Sequence, residues 1–426
     1  MGSGLTPSGV GVRLCGVCGW GVAGRAVPRA PYVTDLNGVL REPPVDFGFT
    51  DADEGFRADV RAWLSEHVES GEDRRSWERA LGKAGWIGLG WPEDGYGNRR
   101  GTLTQQVAWA EEYARSSAPP RSGHIGENLL APTLIAHGTD AQKSRFLPAI
   151  AAGDELWCQG YSEPGAGSDL AGVRTVAVRD GGEYRVTGQK IWTSLAHEAD
   201  WCFVLARTEV GSRRHRGLSF LLVPMDQPGC VEVRPIRQLT GTSEFNEVFF
   251  DGARVRAEHV VGGEGEGWQV AMSLLGFERG VSTLAQQIGF ASELGRVVEA
   301  AVVSGEVLDP VLRDRLVRQW AELKAMRWNA LRTLGRAGDA GAPSVAKLLW
   351  GGWHQRLGEL AMQVRGAAAT VGPVDWTPSL SYELDVFQHL FLFSRADTIY
   401  GGSDQVQRTI IAERVLGLPR EPKGVV

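Results

Sequence analysis

The stretch LLGFERGVS at 274–282 places a carboxylate, Glu278, in a run that is otherwise largely apolar. Trp268, Ala271, Leu274, Leu275, Val281, Ala285 and Ile288 recur at the period of an amphipathic helix, and Glu278 lies on their stripe, one turn from Leu274 and from Val281. A carboxylate taken from water without a partner is unfavourable, so it is paired, turned outward or employed. An apolar setting raises its pKa and suits it to removing a proton near neutral pH. The alternative is a simple ion pair with a nearby arginine in a helix interface.

Three other stretches carry groups that could hold a ligand. GYSEPGAGSDL (160–170) sets Ser162 and Ser168 among glycines, so that backbone and hydroxyls can approach a ligand closely; a tight linking turn would read the same way. GQKIWTS (188–194) puts Trp192 beside Thr193 and Ser194 at a strand end, where the indole could stack on a ring system or simply fill a core. YGGSDQVQR (400–408) places Ser403 as an N-cap after two glycines, and free N–H groups there suit an electron-rich ligand edge. Plain loop-to-helix capping is the alternative. No G-x-G-x-x-G opening a helix, no Walker loop and no G-x-S-x-G elbow occurs.

The elements that must position these residues follow from the change of period along the chain. Helical spacing begins near Phe56 and runs, with breaks, to about residue 152, as in ADVRAWLSEHV and TQQVAWAEEYARS. From about 156 the pattern alternates. Valines flank Asp180-Gly181 as in a hairpin, and the runs WCFVLA, LSFLLVP, VEVRP and NEVFF follow with turns between them. Helical spacing returns after GGEGEGW (262–268) and continues to a stop at Gly417 and Pro419. The expected fold class is α+β: an extension over 1–46, a helical domain over 47–156, an antiparallel β domain (a small barrel or sandwich) over 157–266, and a helical bundle over 267–426. The Gly-rich segment 1–46 has no acidic residue before Asp35 and is expected to be a disordered extension.

Composition narrows the function classes. The 426 residues are 43% hydrophobic and 23% charged with a net charge of −6, which gives no reason to expect nucleic acid or an anionic membrane as a partner. No apolar run approaches the ~20 residues that span a bilayer, and a cytoplasmic location is expected. Five cysteines, an odd number, argue against a disulfide framework; Cys15 and Cys18 have no second pair at zinc-like spacing. The eight histidines are scattered, so no metal site is expected.

SEPGAGSD, then GQKIWTS, then IYGGSDQVQR, in this order, resemble the acyl-CoA dehydrogenase family of flavoproteins over about residues 47–420. The resemblance implies FAD between the β domain and the C-terminal bundle. It places Gln159, Tyr161, Ser162, Gly167 and Ser168 along the flavin and thioester site, Trp192, Thr193 and Ser194 at the isoalloxazine ring, and Ser403 and Gln405 on the cofactor's C-terminal side. Many members carry the base directly after the Tyr of a Y-E-G-T motif; here that position is Gly401. A second branch, resembling the isovaleryl- and long-chain-specific enzymes, carries it on the first helix of the C-terminal domain, just before an arginine. Glu278 followed by Arg279 matches that branch.

The reaction so implied is α,β-dehydrogenation of an acyl thioester, CoA- or carrier-protein-borne, to the trans-2-enoyl thioester. Glu278 takes the α-proton, the β-hydrogen leaves as hydride to flavin N5, and Ser168, Arg279 and Gly401 meet the substrate. The vacated Gly401 leaves room for branched or bulky acyl groups. An electron-transferring flavoprotein is the implied acceptor and a homo-oligomer, dimer or tetramer, the implied assembly. The family's R-x-x-F-G is absent from VVSGEVLDP and its Q-x-x-G-G-x-G is degenerate in QVRGAAATVG, so an unlike-subunit tetramer stays open. Two alternatives remain: a flavin monooxygenase or oxidase on the same scaffold, and a non-catalytic subunit.

Overall fold

The computed structural model describes residues 48–68, 73–277, 282–334, 341–372 and 384–420, with no side chains for 282–285 and 334. The extension 1–46, Glu278 and Arg279 lie outside the described residues.

Among the described residues five α-helices come first: α1 (Asp51–His67), α2 (Arg74–Lys83), α3 (Leu103–Arg115), α4 (Ala131–His137) and α5 (Asp140–Ala151). The first begins five residues before Phe56, because Thr50 and Asp53 form a capping box that apolar periodicity cannot reveal. Eight strands follow: β1 (Trp157–Gly160), β2 (Val176–Asp180), β3 (Glu183–Ser194), β4 (Trp201–Arg207), β5 (Leu218–Pro224), β6 (Val231–Ile236), β7 (Phe245–Arg256) and β8 (Val260–Val261). The hairpin at Asp180 forms as the sequence suggests, with Asp180 paired to Glu183.

The sheet is mixed rather than wholly antiparallel. Its order is β6-β7-β3-β2-β4-β5-β8, with β1 alongside β4. β4 runs parallel to both β1 and β2, while the other pairings are antiparallel. Alternation identifies a strand but not its neighbour, so the sequence could not supply this pairing. Among the described residues the ladder runs from β6 to β8 without closing. β4 and β5 are buried on both faces, which is why they read as continuous apolar runs.

Among the described residues six further α-helices follow: α6 (Gly267–Phe277), α7 (Ser282–Ser304), α8 (Pro310–Leu334), α9 (Ala342–Arg365), α10 (Val386–Phe393) and α11 (Asp404–Ile410), the last prolonged by a π turn, Ile411–Val415. Gly417 follows with φ +65°, as a helix stop requires.

One core packs Leu130, Leu134 and Phe146 of the first helices against Trp157, Phe203 and Phe220 of the sheet, and adds Ala271 and Leu274 of α6. Each such side chain contributes about 1.5–3 kcal/mol by leaving water. A second core joins α7, α8, α9 and α10 through Phe290, Leu316, Trp353 and Leu390. The first helix of the C-terminal region sits hard against β5: a Cβ on Gly267 would lie 2.3 Å from the Ser219 carbonyl carbon. The apolar stripe ahead of Glu278 is therefore a docking face. Ala271 and Leu274 are fully buried on it.

Candidate functional site

The loop after β1 is pinned from inside. Glu163 forms a tight reciprocal turn with Ala166, through backbone bonds of 3.2 and 3.0 Å, and its carboxylate accepts the N–H groups of Arg174 and Thr175 at 2.6 and 2.9 Å. Lys190, completely buried in β3, brings its ammonium to 2.9 Å from Glu163 Oε1 and donates to the carbonyls of Tyr161 and Leu205. Burial disfavours both charges. In Glu163 the Lys190 ammonium outweighs it and holds the carboxyl below its ordinary value, whereas in Lys190 burial prevails and lowers the ammonium's pKa. The Ile191 N–H also donates to the Ser162 carbonyl at 2.9 Å. SEPGAGSD and GQKIWTS thus form one unit.

Just beyond Lys190 the strand breaks register against β7, between Lys190 and Thr193. Trp192 sits in the break with φ +61°, and Leu195, just past the end of β3, has φ +55°, conformations that cost a side-chain-bearing residue free energy and persist at functional sites. The indole is 57% exposed and edge-on to Phe245, ring centres 6.3 Å apart. Beside it Thr193 is fully buried, and its hydroxyl has no hydrogen-bond partner among the described residues. Ser194 and Ser162 are half-buried, and Gly167 and Ser168 exposed. A Cβ at Gly165 or Gly167 would meet none of the described residues within 4 Å. Gln159 is half-buried in β1; Tyr161 is buried edge-on to Phe203 and Phe220.

The C-terminal stretch forms a turn with φ +62° at Gly401 and +88° at Gly402. Gln407 clamps it, donating to both glycine carbonyls at 3.1 and 3.2 Å. Ser403 caps α11 by accepting the Val406 N–H, as the sequence suggests, and Gln405 is exposed. A cavity of about 340 Å³ joins this region to the sheet, lined by Glu244 ahead of β7 and by Phe290, Glu293, His354, Asp397 and Tyr400, among others. The Glu244 carbonyl accepts the Leu195 N–H at 2.9 Å, so the cavity begins beside the strained end of β3.

Two carboxylates meet one imidazole in the wall of that cavity. His354 on α9 donates from Nδ1 to Asp397 Oδ2 at 2.5 Å and from Nε2 to Glu293 Oε2 on α7 at 2.9 Å. Burial disfavours the imidazolium, but these two bonds outweigh it and push the pKa up to about 9. The Tyr400 hydroxyl donates to the other Asp397 oxygen at 2.7 Å.

Glu163 and Lys190 fall within SEPGAGSD and GQKIWTS, but a buried pair 27 positions apart has no local signature in the sequence. Glu293, His354 and Asp397 left no signal in the sequence. The base candidate Glu278 and its neighbour Arg279 lie outside the described residues.

An exposed indole, an adjacent orphaned hydroxyl and open glycines fit a flat ring with polar edges. FAD answers that description, and these groups have the chemistry to hold it. Among the described residues no helix is long and apolar enough to cross a membrane.

Comparison with known proteins bears on the same elements. The N-terminal, middle and C-terminal acyl-CoA dehydrogenase domain families match residues 50–154, 158–253 and 265–416. The acyl-CoA dehydrogenase IpdE1 of Mycobacterium tuberculosis is 55% identical over 390 residues, covering 87% of this chain and 99% of that protein. Among solved structures, a variant of the Tcur3481-Tcur3483 steroid ACAD superposes with a TM-score of 0.76 at 30% identity, covering 87% of this chain and 99% of that one. The ChsE4-ChsE5 complex of Mycobacterium tuberculosis does so with a TM-score of 0.72 at 32% identity, covering 88% and 99%.

Proposed function

This FAD-dependent chain belongs to the acyl-CoA dehydrogenase family, and on that premise we propose that it oxidises a bulky, ring-bearing acyl-CoA to the trans-2-enoyl-CoA with Glu278 as the base. Dehydrogenation requires a carboxylate at the α-carbon. The family's alternative position for it is Gly401, whose backbone at φ +62° favours glycine and cannot supply a proton acceptor. That vacancy carries the assignment to Glu278, which follows directly on α6.

The chain's own groups divide the work. Trp192, Thr193 and Ser194, with Ser162, Gly167 and Ser168, would hold and orient the ring system, and Ser403 and Gln405 would hold the cofactor from the C-terminal domain. Bound FAD supplies the acceptor for the β-hydrogen and its electron pair. Glu278 takes the α-proton onto its carboxylate, and the packing of Ala271 and Leu274 against the sheet fixes the helix that precedes it.

Space supports the bulky acyl group. Among the described residues a Cβ at Gly401 would meet within 4 Å only Lys347 Cε, at 3.8 Å, and the cavity of about 340 Å³ opens beside the same turn. The names of the structural neighbours, a steroid ACAD and a two-protein ChsE4-ChsE5 complex, favour a polycyclic acyl group and an assembly with an unlike subunit. An electron-transferring flavoprotein is the proposed acceptor. Anaerobic titration of the FAD-loaded protein with steroid-side-chain and straight-chain acyl-CoAs tests the reading. Bleaching of the flavin by the polycyclic thioester, and weaker bleaching by straight chains of equal carbon number, is expected. Equal bleaching by all chains contradicts the substrate assignment.

A further inference from the structure

We infer that His354 is a positioning residue that clamps the Tyr400–Ser403 turn onto α7, and so fixes the wall against which the acyl group lies. The placement of that wall beside the substrate rests on the proposed function; the clamp itself does not.

The clamp is a chain of hydrogen bonds across three elements. Glu293 belongs to α7, the helix that follows the base segment; His354 belongs to α9; Asp397 precedes the turn by three residues. Asp397 is 1% exposed, so its charge needs the imidazolium. Its second oxygen takes the Tyr400 hydroxyl, which fixes the residue next to Gly401. Lys347 of α9 donates to the Asp397 backbone carbonyl and lies over the Tyr400 ring at 4.6 Å. With Gly401 and Gly402 both at positive φ and without side chains, the turn has little packing of its own. Its geometry is held from Asp397 on one side and by Gln407 on the other.

Charge is the basis of the clamp. The groups facing His354 are Glu293 from α7, Asp397 ahead of the turn, and Glu244 and His389 across the cavity; Lys347 shares its helix. Two carboxylates in direct contact keep the imidazole doubly protonated, and a neutral side chain cannot donate to both while cancelling either charge.

Hydrogen exchange of the FAD-loaded protein, with rates corrected for intrinsic chemistry, tests this together with acyl-CoA kinetics. Replacing the imidazolium by a neutral amide, His354→Gln, should lower protection of amides 399–407 by about tenfold or more. The KM for the bleaching acyl-CoA should rise more than kcat falls. Adding Asp397→Asn to His354→Gln should restore most of the protection, because it removes the buried unpaired carboxylate; a purely steric role for His354 predicts no such rescue. In the parent, protection should fall as pH passes through about 9, and in His354→Gln it should not. Unchanged protection in His354→Gln overturns the clamp whether or not the parent bleaches with any acyl-CoA. Lost protection with parental KM and kcat overturns its role at the acyl wall. A parent that bleaches with no acyl-CoA contradicts the proposed function alone, and the exchange data still decide the clamp.

Discussion

The Lys190 ammonium lies 2.9 Å from Glu163 Oε1 with the lysine side chain wholly out of water, and this contact joins the SEPGAGSD and GQKIWTS segments of the sheet domain. Removing one partner of a buried pair leaves the other charge stranded, at a cost of about 3–5 kcal/mol. Lys190→Met should therefore lower the urea midpoint strongly and release FAD on gel filtration. Lys190→Met with Glu163→Gln should regain much of the stability, since no buried charge remains. A parental midpoint in the single variant would show that the pair does not hold the site.

Trp192 carries backbone strain in exchange for its exposed indole. A non-glycine residue at φ +61° costs on the order of 1–3 kcal/mol. Trp192→Gly should stabilise the FAD-free chain slightly and weaken FAD binding, two effects of opposite sign. Calorimetry of the FAD-free protein and flavin fluorescence titration read them separately. Lower stability together with unchanged FAD affinity would contradict both halves.

Much of this arrangement was legible in the residues, and what was not has physical reasons. The period change, the hairpin at Asp180 and the cap at Ser403 are local features, written by spacing and residue type. The parallel pairings of β4 depend on which strand lies next to which, and periodicity does not encode that. Trp192 could be singled out as an aromatic near a glycine-rich loop, but its positive φ arises from the register break against β7. Lys190 reads as an ordinary strand lysine until its partner 27 positions away is known. The cluster of Glu293, His354 and Asp397 draws on three separate elements and exists only in the packed bundle.

The His354 imidazolium makes stability depend on alkaline pH. Its folded pKa, about 9, stands above the ordinary 6.5, so its contribution is fully present below pH 6.5 and is lost as pH rises through 9. The loss across that window is roughly 3 kcal/mol at most. Urea unfolding at pH 6.5 and 9.5 should show this slope in the parent, and a clearly smaller one in His354→Gln. Identical slopes would mean that the imidazolium does not lock the bundle.

Gly401 offers a test from the other side of the substrate. In a Glu278→Gly background, Gly401→Glu should restore part of the lost flavin reduction, because among the described residues a Cβ there meets only Lys347 Cε, at 3.8 Å. Recovery should be incomplete. The backbone at φ +62° resists a side chain by about 1 kcal/mol, and a base misplaced by about 1 Å loses on the order of 10²-fold. No recovery, with FAD bound and the fold intact, would place Gly401 away from the α-carbon.

The base assignment itself is tested most directly by stopped-flow reduction of the FAD-loaded Glu278→Gln variant with an acyl-CoA that bleaches the parent. Glutamine keeps the shape and the ligand contacts but accepts no proton. Flavin reduction should slow by roughly 10²–10⁴ while FAD content and acyl-CoA affinity stay at parental values. Reduction at the parental rate would contradict Glu278 as the base.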